Sequence, residues 1–283
     1  MKYNGTHKYF CEDISMKIGI IGYGSMGKML LWKFSGAGIK KEDLYAANRT
    51  AEKLEEAKEI ATACSNKEAA TNADIVFVCV RPVDLKDVLT EIGPELKDDA
   101  LLVTLNGSIT FEMIGKITDR KTAKVIPSLT AEIDRSQTIV SYNTKVTEED
   151  KQRLEEILKS FGNVIVLPEN EVGMGSELVS CMPGFIASIF DVICNSAEKH
   201  TQIPREQIVE MVLKTMSATG DLMLEKGMSF EDAVARVATK GGITEEGTKV
   251  IYDMFPQAAD MMFEKTLEKR RLTAQKAQES FGN

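Results

Sequence analysis

Three glycines at fixed spacing are the strongest sign of chemistry in this chain of 283 residues. Gly22, Gly24 and Gly27 form the pattern G-x-G-x-x-G, which directly follows the apolar segment 17–22 and opens a helical pattern. In that context the first glycine permits a tight turn, the second lets a pyrophosphate approach the backbone, and the third lets helix and strand pack closely. The free N–H groups of the helix N-terminus attract phosphate. The sequence therefore predicts a dinucleotide-binding turn made of Gly22, Tyr23, Gly24, Ser25, Met26 and Gly27.

Neutral and basic residues follow the second predicted strand, at the position that distinguishes the two nicotinamide dinucleotides. A carboxylate there would bind the ribose 2′-hydroxyl of NAD and repel a 2′-phosphate. Asn48, Arg49 and Thr50 stand there instead. Because a guanidinium with neutral hydrogen-bonding neighbours suits a phosphate, we expect NADP(H) as the cofactor. NAD(H) is the alternative if Arg49 is only an exposed loop residue.

Other catalytic residue types are sparse. The two histidines are His7, in the N-terminal segment, and His200, in a polar stretch, and neither adjoins a motif. This disfavours the histidine-based acid–base catalysis of lactate-type dehydrogenases. The five cysteines lack the spacing of a zinc or redox motif, so we expect no metal site and a reducing compartment. They are Cys11, Cys64, Cys79, Cys181 and Cys194.

Alternating strand and helix patterns surround these residues. Short apolar runs, typical of strands buried on both faces, recur between helical patterns. This alternation predicts right-handed βαβ units and an α/β fold with a Rossmann-like, doubly wound parallel sheet. The predicted strands are 17–22, 43–47, 73–80, 100–105, 123–126, 137–141 and 163–167, and the predicted helices are 25–36, 51–63, 84–95, 110–117 and 147–161.

The texture of the sequence changes after Pro168, where strand-like runs cease and Met, Ala, Glu and Lys dominate. We therefore predict an N-terminal extension at 1–15, an NADP-binding Rossmann-like domain at 16–168 and an all-helical domain at 169–283. Residues 1–15 lack the apolar segment of a secretory signal, and the apolar runs elsewhere are shorter than the ~20 residues of a spanning helix. The net charge of −8, without a Lys/Arg-rich run, argues against nucleic acid and anionic membranes as partners. We expect a cytoplasmic protein.

Five sequence blocks, in one order, resemble the pyrroline-5-carboxylate reductase family. They are KIGIIGYGSMG at 17–27, NRT at 48–50, VCVRP at 78–82, KVIP at 124–127 and VATKGGIT at 237–244. The resemblance implies a Rossmann-like domain followed by a helical domain whose helices interlock with a second subunit, so a homodimer or larger homo-oligomer is expected. It also implies an oxidoreductase of proline biosynthesis, which reduces the cyclic imine of pyrroline-5-carboxylate to proline by hydride transfer from NADPH.

The same resemblance assigns the cofactor contacts. Residues 22–27 would hold the pyrophosphate, and residues 48–50 the adenosine ribose phosphate, with Asn66 as a further contact. The nicotinamide half would be lined at the carboxyl ends of strands, where open parallel sheets bind ligands. The residues implied there are Cys79, Val80, Arg81, Pro82, Leu105, Asn106 and Gly107.

The resemblance also implies a substrate loop that contains Thr239, Gly241, Gly242 and Thr244. Its glycines would free backbone N–H groups to bind the carboxylate of an imino acid. The Thr244 hydroxyl, as the catalytic group, would orient the imine nitrogen and take part in proton delivery. The alternative is a turn that only connects two helices, because Gly-Gly is a common turn pair.

Several residues depart from the family pattern near the expected nicotinamide and substrate. Lys240 replaces a proline and Ile243 a threonine or alanine in the loop S-P-G-G-[TA]-T, and Met182 occupies a glycine position. These changes are similar to a divergent branch of the family that is encoded beside late-competence genes. A second hypothesis is therefore a non-catalytic or differently specific NADP-binding homologue with a regulatory role. β-Hydroxyacid dehydrogenases share the architecture but use an interdomain lysine, which the segment 160–198 lacks.

Overall fold

The computed structural model describes residues 16–282, so the predicted extension at 1–15 lies outside the described residues. The described part contains an eight-stranded sheet with the order β3-β2-β1-β4-β5-β6-β7-β8. The strands are β1 (Ile18–Ile21), β2 (Leu44–Ala47), β3 (Thr62–Cys64), β4 (Ile75–Val78), β5 (Leu101–Thr104), β6 (Thr122–Ile126), β7 (Ser136–Tyr142) and β8 (Gly162–Val166).

Helices cover the sheet and make up the rest of the described chain after β8. They are α1 (Ser25–Gly36), α2 (Asn66–Asn72), α3 (Pro82–Ile92), α4 (Phe111–Gly115), α5 (Glu148–Lys159), α6 (Val172–Ser176), α7 (Met182–Ala197), α8 (Arg205–Lys226), α9 (Phe230–Val237) and α10 (Ile243–Gly282). A π-helical turn, Glu177–Cys181, joins α6 to α7.

The centre of the sheet confirms the predicted Rossmann-like fold. Strands β1, β4 and β5 are buried at each position and pair in parallel, as apolar strands with helices on both faces do. The strand order reverses beside β1, whose neighbours are β2 and β4. Open α/β sheets bind ligands at this switch point, outside the carboxyl ends of the strands. The glycine turn follows β1 there.

Between β2 and β4 the observed elements differ from the predicted ones. The predicted helix at 51–63 consists of two 3₁₀ turns, Ala51–Leu54 and Glu56–Glu59, followed by the edge strand β3. Pairing of β3 with β2 overrides the helix propensity of the Ala, Glu and Lys residues. Helix α2 was not predicted, although Ser65 and Glu68 form the capping box that marks its start.

Strand β7 runs antiparallel to β6, whereas the alternation of elements predicted a parallel neighbour. The connection between them contains only the short 3₁₀ turn Leu129–Ile133. A parallel crossover needs about a dozen residues or more, usually with a helix. The chain therefore turns back beside β6 and returns to parallel pairing at β8.

The described chain forms two compact units, divided after Pro183 and again before Leu267. We call residues 16–183 with 267–282 the sheet unit, and Gly184–Thr266 the helical unit. Residues beyond the predicted boundary at 168 thus pack with the sheet. Val172 lies in a cluster with Ile126 and Ile139, and apolar residues near the end of α10, Ala277 and Phe281, join the cluster below β4 and β5.

The helical unit exposes many large apolar side chains in the single chain, among them Val192, Met211, Leu224 and Tyr252. An open groove of about 420 Å³ is lined by Phe190, Ile193, Met211, Val212, Thr215, Met216 and Thr219. Among the described residues, one helical stretch, Glu169–His200, could cross a membrane by length and composition alone, and a single such stretch is weak support for a membrane span.

Candidate cofactor and substrate site

The turn between β1 and α1 has the geometry of a cradle for phosphate. Gly22 has a φ of +100°, and a Cβ there would lie 2.8 Å from the carbonyl oxygen of Cys79. A Cβ on Gly27 would collide with the carbonyl oxygen of Gly22. A Cβ on Gly24, in contrast, would meet no heavy atom within 4 Å. Two glycines are therefore required by packing, whereas Gly24 leaves open space above the turn.

The start of helix α1 is open to an anion. Gly24 is the N-cap residue, no side chain caps the helix, and its first turn contains no acidic residue. By comparison, α2 and α5 are both closed by capping boxes. The N-terminal N–H groups and the dipole of α1 thus remain for a ligand, and the residues present fit the pyrophosphate of a dinucleotide.

Asn48 ties the end of β2 to the glycine turn. Its Oδ1 accepts a hydrogen bond from the amide of Tyr23 at 3.0 Å, and its Nδ2 donates to the carbonyl of Thr50 at 2.9 Å. The side chain thus fixes the turn and its own loop. Its contact with a cofactor stays a prediction, as do the contacts of Thr50.

Two guanidinium groups converge on one carboxylate at the same edge of the sheet. Arg81, just before α3, donates from Nε to Oδ2 of Asp84 at 2.9 Å. Nη1 of Arg49 lies 3.9 Å from Oδ1 of Asp84. The side chains of Arg49 and Arg81 are 85% and 70% exposed, so both guanidinium groups can reach a ligand. Pro82 occupies the first turn of α3, where its missing N–H costs no hydrogen bond.

The carboxyl ends of β4 and β5 are joined by Asn106, which is buried. Its Nδ2 donates to the carbonyl oxygen of Val80 at 3.2 Å, and its amide donates to Oγ1 of Thr104 at 3.2 Å. The thiol of Cys79 is enclosed beside the turn although part of the residue is exposed, and desolvation raises its pKa to about 12. Cys79 therefore stays a neutral thiol at physiological pH and acts as a small packing residue.

The predicted contact Asn66 begins helix α2, next to the end of β3. Its Nδ2 donates to Oε2 of Glu91 in α3 at 2.8 Å. The structure thus places Asn66 on the same side of the sheet unit as α3. Its role toward a cofactor stays a prediction.

In the helical unit, the predicted substrate loop forms a tight turn before α10. Gly241 has a φ of +72°, and the amide of Gly242 donates to the carbonyl of Thr239 at 2.8 Å. The turn binds a carboxylate, but it is one of the chain's own: the amide of Gly241 donates to Oε2 of Glu245 at 2.6 Å. Thr244 lies in the first turn of α10 and is partly exposed. Sequence reasoning did not identify Glu245.

A buried ion pair near residues 105–107 was also not identified from the sequence. Nε and Nη2 of Arg270, in the last part of α10, donate to Oε1 of Glu177 at 3.1 and 2.8 Å. Glu177 is only 1% exposed. The sequence signal that could have revealed it is an acidic residue in the otherwise uncharged segment 172–182. A similar signal was Lys124, which is buried in β6 and pairs with Glu169 at 2.5 Å.

Burial lowers the pKa of Lys124, and its hydrogen bond and charge interaction with Glu169 oppose that effect. The same Glu169 oxygen accepts a hydrogen bond from the amide of Phe111 at the start of α4.

Among the described residues, no group of His, Cys, Asp and Glu could hold a metal ion.

Two family models match separate parts of the chain. Residues 17–107 match the family model described as NADP oxidoreductase coenzyme F420-dependent. Residues 169–272 match the model for pyrroline-5-carboxylate reductase dimerisation. Among solved structures, a pyrroline-5-carboxylate reductase from Coxiella burnetii superposes with a TM-score of 0.81 at 23% identity, and the match covers 93% of this chain and 99% of that one.

Curated relatives extend the match along the chain. Pyrroline-5-carboxylate reductase 3 of Bacillus subtilis is 31% identical over 263 residues, which cover 90% of this chain and 96% of the relative. ComE operon protein 4 of the same organism is 25% identical over 249 residues, covering 85% and 91%. These matches confirm the resemblance, including the one to the branch encoded with competence genes. The chain belongs to the pyrroline-5-carboxylate reductase family.

Proposed function

We propose that this protein is an NADP(H)-dependent oxidoreductase acting on a C=N bond, and that its substrate is a cyclic imino acid. Pyrroline-5-carboxylate, reduced to proline, is the substrate that its family supports best. The observation that carries the proposal is the open cradle at Gly24 before an uncapped α1, in a chain that shares 31% of its residues with a pyrroline-5-carboxylate reductase over 90% of its length.

In this proposal each part of the site has a separate task. Residues 22–27 hold the pyrophosphate, and Arg49, between Asn48 and Thr50, meets the 2′-phosphate. Residues 79–82 and 105–107 line the nicotinamide half, with Asn66 near the adenosine half. Bound NADPH supplies the hydride. Because a protonated imine accepts hydride readily, positioning provides most of the catalysis, and little acid–base machinery is needed.

The substrate loop binds and orients the imino acid in this proposal. The Thr239 hydroxyl, and the Gly241 amide once Glu245 releases it, offer hydrogen bonds to its carboxylate, while the Gly242 amide closes the turn onto Thr239. The Thr244 hydroxyl holds the proton shared with the imine nitrogen. The exposed apolar face of the helical unit is covered by a second copy of the chain, as the match to a dimerisation model supports. The same contact accounts for the apolarity of Glu169–His200, and the protein works in the cytoplasm.

A second candidate function is supported by specific observations. The turn at Gly241 already carries the Glu245 carboxylate, and the chain is similar to ComE operon protein 4. Both fit an NADP-binding homologue that has a regulatory role or takes a different imine. The retained Gly241, Gly242 and Thr244 favour the reductase.

Absorbance at the NADPH band, followed with purified protein and pyrroline-5-carboxylate, separates the candidates. NADH and cyclic imines of other ring size serve as comparisons. Turnover with the five-membered imino acid supports the reductase. Turnover of another imine only, or nucleotide binding without turnover of any imine, supports the second candidate, and a lack of binding to both nucleotides contradicts both.

A further inference from the structure

Arg270 lies between two glycines of the sheet unit. A Cβ on Gly107 would be 3.2 Å from Nη1 of Arg270, and a Cβ on Gly173 would be 3.3 Å from its Cδ. The Arg270 side chain thus occupies the space that a side chain at Gly107 or Gly173 would fill. Gly107 ends the segment 105–107, which follows β5 at the ligand-binding edge of the sheet.

Glu177 compensates the charge of Arg270 with one of its two carboxylate oxygens. Oε1 accepts both hydrogen bonds from the guanidinium, and Nη2 of Arg270 also donates to Oγ of Ser176 at 3.1 Å. Oε2 of Glu177 is buried, and apart from the thiol of Cys181 beside this carboxylate, no hydrogen-bond partner reaches it in the described part of the chain. Burying a carboxylate away from water costs free energy. Because water screens this buried charge little, the carboxylate acts strongly on neighbouring charges.

The backbone around Glu177 is irregular as well. Residues Glu177–Cys181 form a single π-helical turn between α6 and α7. Such turns are rare and occur often at functional sites. An ion pair and a π-helical turn therefore meet beside the segment that the proposed function assigns to the nicotinamide half.

We propose that the Glu177–Arg270 pair sets the charge beside the nicotinamide half of the proposed cofactor site, and so sets the relative affinity for oxidised and reduced cofactor. This rests on the proposed function, which places the nicotinamide at residues 105–107. The oxidised ring carries a positive charge and the reduced ring is neutral. The guanidinium against Gly107 disfavours the cationic ring, and the Glu177 carboxylate limits that effect.

The test uses the full-length protein and the dissociation constants of NADP⁺ and NADPH, measured by fluorescence or calorimetric titration without substrate. Glu177→Gln leaves Arg270 without its counter-charge, so the ratio of the NADP⁺ constant to the NADPH constant should rise ~3–10-fold. Arg270→Gln removes the positive charge, and the ratio should fall by about the same factor. The double variant E177Q/R270Q should return to within about twofold of the wild-type ratio.

Controls separate this role from a purely structural one. Arg271 and Glu268 form an exposed pair on the same helix, with Nε and Oε2 2.8 Å apart, and R271Q and E268Q should leave the ratio unchanged. If E177Q does not fold, R270K and R270Q carry the comparison, because lysine keeps the charge and should keep the wild-type ratio. A ratio that is unchanged in both single variants, or that moves in one direction in both, overturns the proposal. Failure of the wild type to bind either nucleotide contradicts the proposed function instead.

Discussion

Gly24 and Gly27 have different roles in the glycine turn, and substitutions at the two positions should have different effects. A side chain on Gly24 projects into open space, whereas one on Gly27 collides with the backbone of Gly22. We expect Gly24→Val to weaken NADPH binding at least ~10-fold with little change in the melting temperature, because it blocks the approach of the pyrophosphate. Gly27→Ala should lower the free energy of unfolding by about 1–3 kcal/mol. NADPH titration and urea denaturation measure the two effects, and equal effects of both variants on stability would contradict this division.

Arg49 makes only a long contact with Asp84 and is largely exposed, so its removal should cost little stability. Arg49→Ala should raise the dissociation constant of NADPH by about tenfold and leave that of NADH within about twofold, because only NADPH has a 2′-phosphate. The exposed neighbour Lys53 provides the control K53A. Equal weakening of both nucleotides by R49A would assign the guanidinium to another part of the cofactor.

Glu245 occupies the amide that the substrate carboxylate would use. In Glu245→Ala this amide is free, and the loss of a competing negative charge favours an anionic substrate. We expect the KM for pyrroline-5-carboxylate to fall about threefold or more. Glu246, which is exposed on the same helical turn and pairs with Lys249, gives the control E246A. A higher KM in E245A would mean that the carboxylate supports the loop and does not compete with the substrate.

Some site residues have a signal in the neighbouring sequence and were predicted, whereas others have none and were missed. The glycine turn and Asn48 to Thr50 were predictable because their signals lie within a few neighbouring residues after a strand. Glu177 and Arg270 are 93 positions apart, and no local pattern connects such a pair. Glu245 was missed for another reason: nothing in the sequence shows that its carboxylate folds back onto Gly241.

At the scale of elements, helix α5 depends on the capping box between Thr147 and Asp150. Burial alone would raise the pKa of Asp150, but hydrogen bonds from the hydroxyl and amide of Thr147, together with Lys121, lower it overall. A carboxyl whose pKa is lower in the folded state stabilises the fold above its unfolded pKa of about 3.9. That contribution is lost as the pH falls through the lower, folded value.

Asp150→Asn should therefore lower the free energy of unfolding by about 1 kcal/mol at pH 7. The difference from wild type should shrink as the pH falls below about 4. Urea denaturation at pH 7 and at pH 3 measures both values, with the exposed neighbour Glu149→Gln as control. A difference that is independent of pH would assign the effect to side-chain shape and not to charge.

Elements marked by a continuous apolar run were predicted well, whereas elements whose form depends on neighbouring parts of the chain were not. Apart from Thr104, strands β1, β4 and β5 consist of apolar residues because helices cover both faces, and this pattern is visible in the sequence. The direction of β7 depends on the length of its connection to β6, and β3 depends on pairing at an edge. Helix α2 has a local signal in the sequence, the capping box of Ser65 and Glu68, although its helical pattern is only seven residues long.

At the scale of the whole molecule, the helical unit leaves its apolar groove open in the single chain. We expect the protein to sediment as a dimer or larger assembly. Met211 lines this groove and is 54% exposed. Met211→Glu should lower the association constant of the subunits at least ~10-fold, because burying a carboxylate in an interface is costly. The mass measured by sedimentation should therefore move toward that of the monomer. The exposed Lys214, on the same helix, gives the control K214Q. Assembly unaffected by M211E would place the subunit contact elsewhere.

Ala277 and Phe281 complete the core of a sheet whose last strand, β8, ends at Val166. About a hundred residues of helix separate them from that strand in the order of synthesis. A nascent chain that has released all eight strands from the ribosome still lacks these two side chains, and the apolar residues of α3 in the same cluster stay uncovered meanwhile. Chaperones that bind exposed apolar residues would therefore bind this chain during synthesis of its helical part, after the nucleotide-binding part has already been translated.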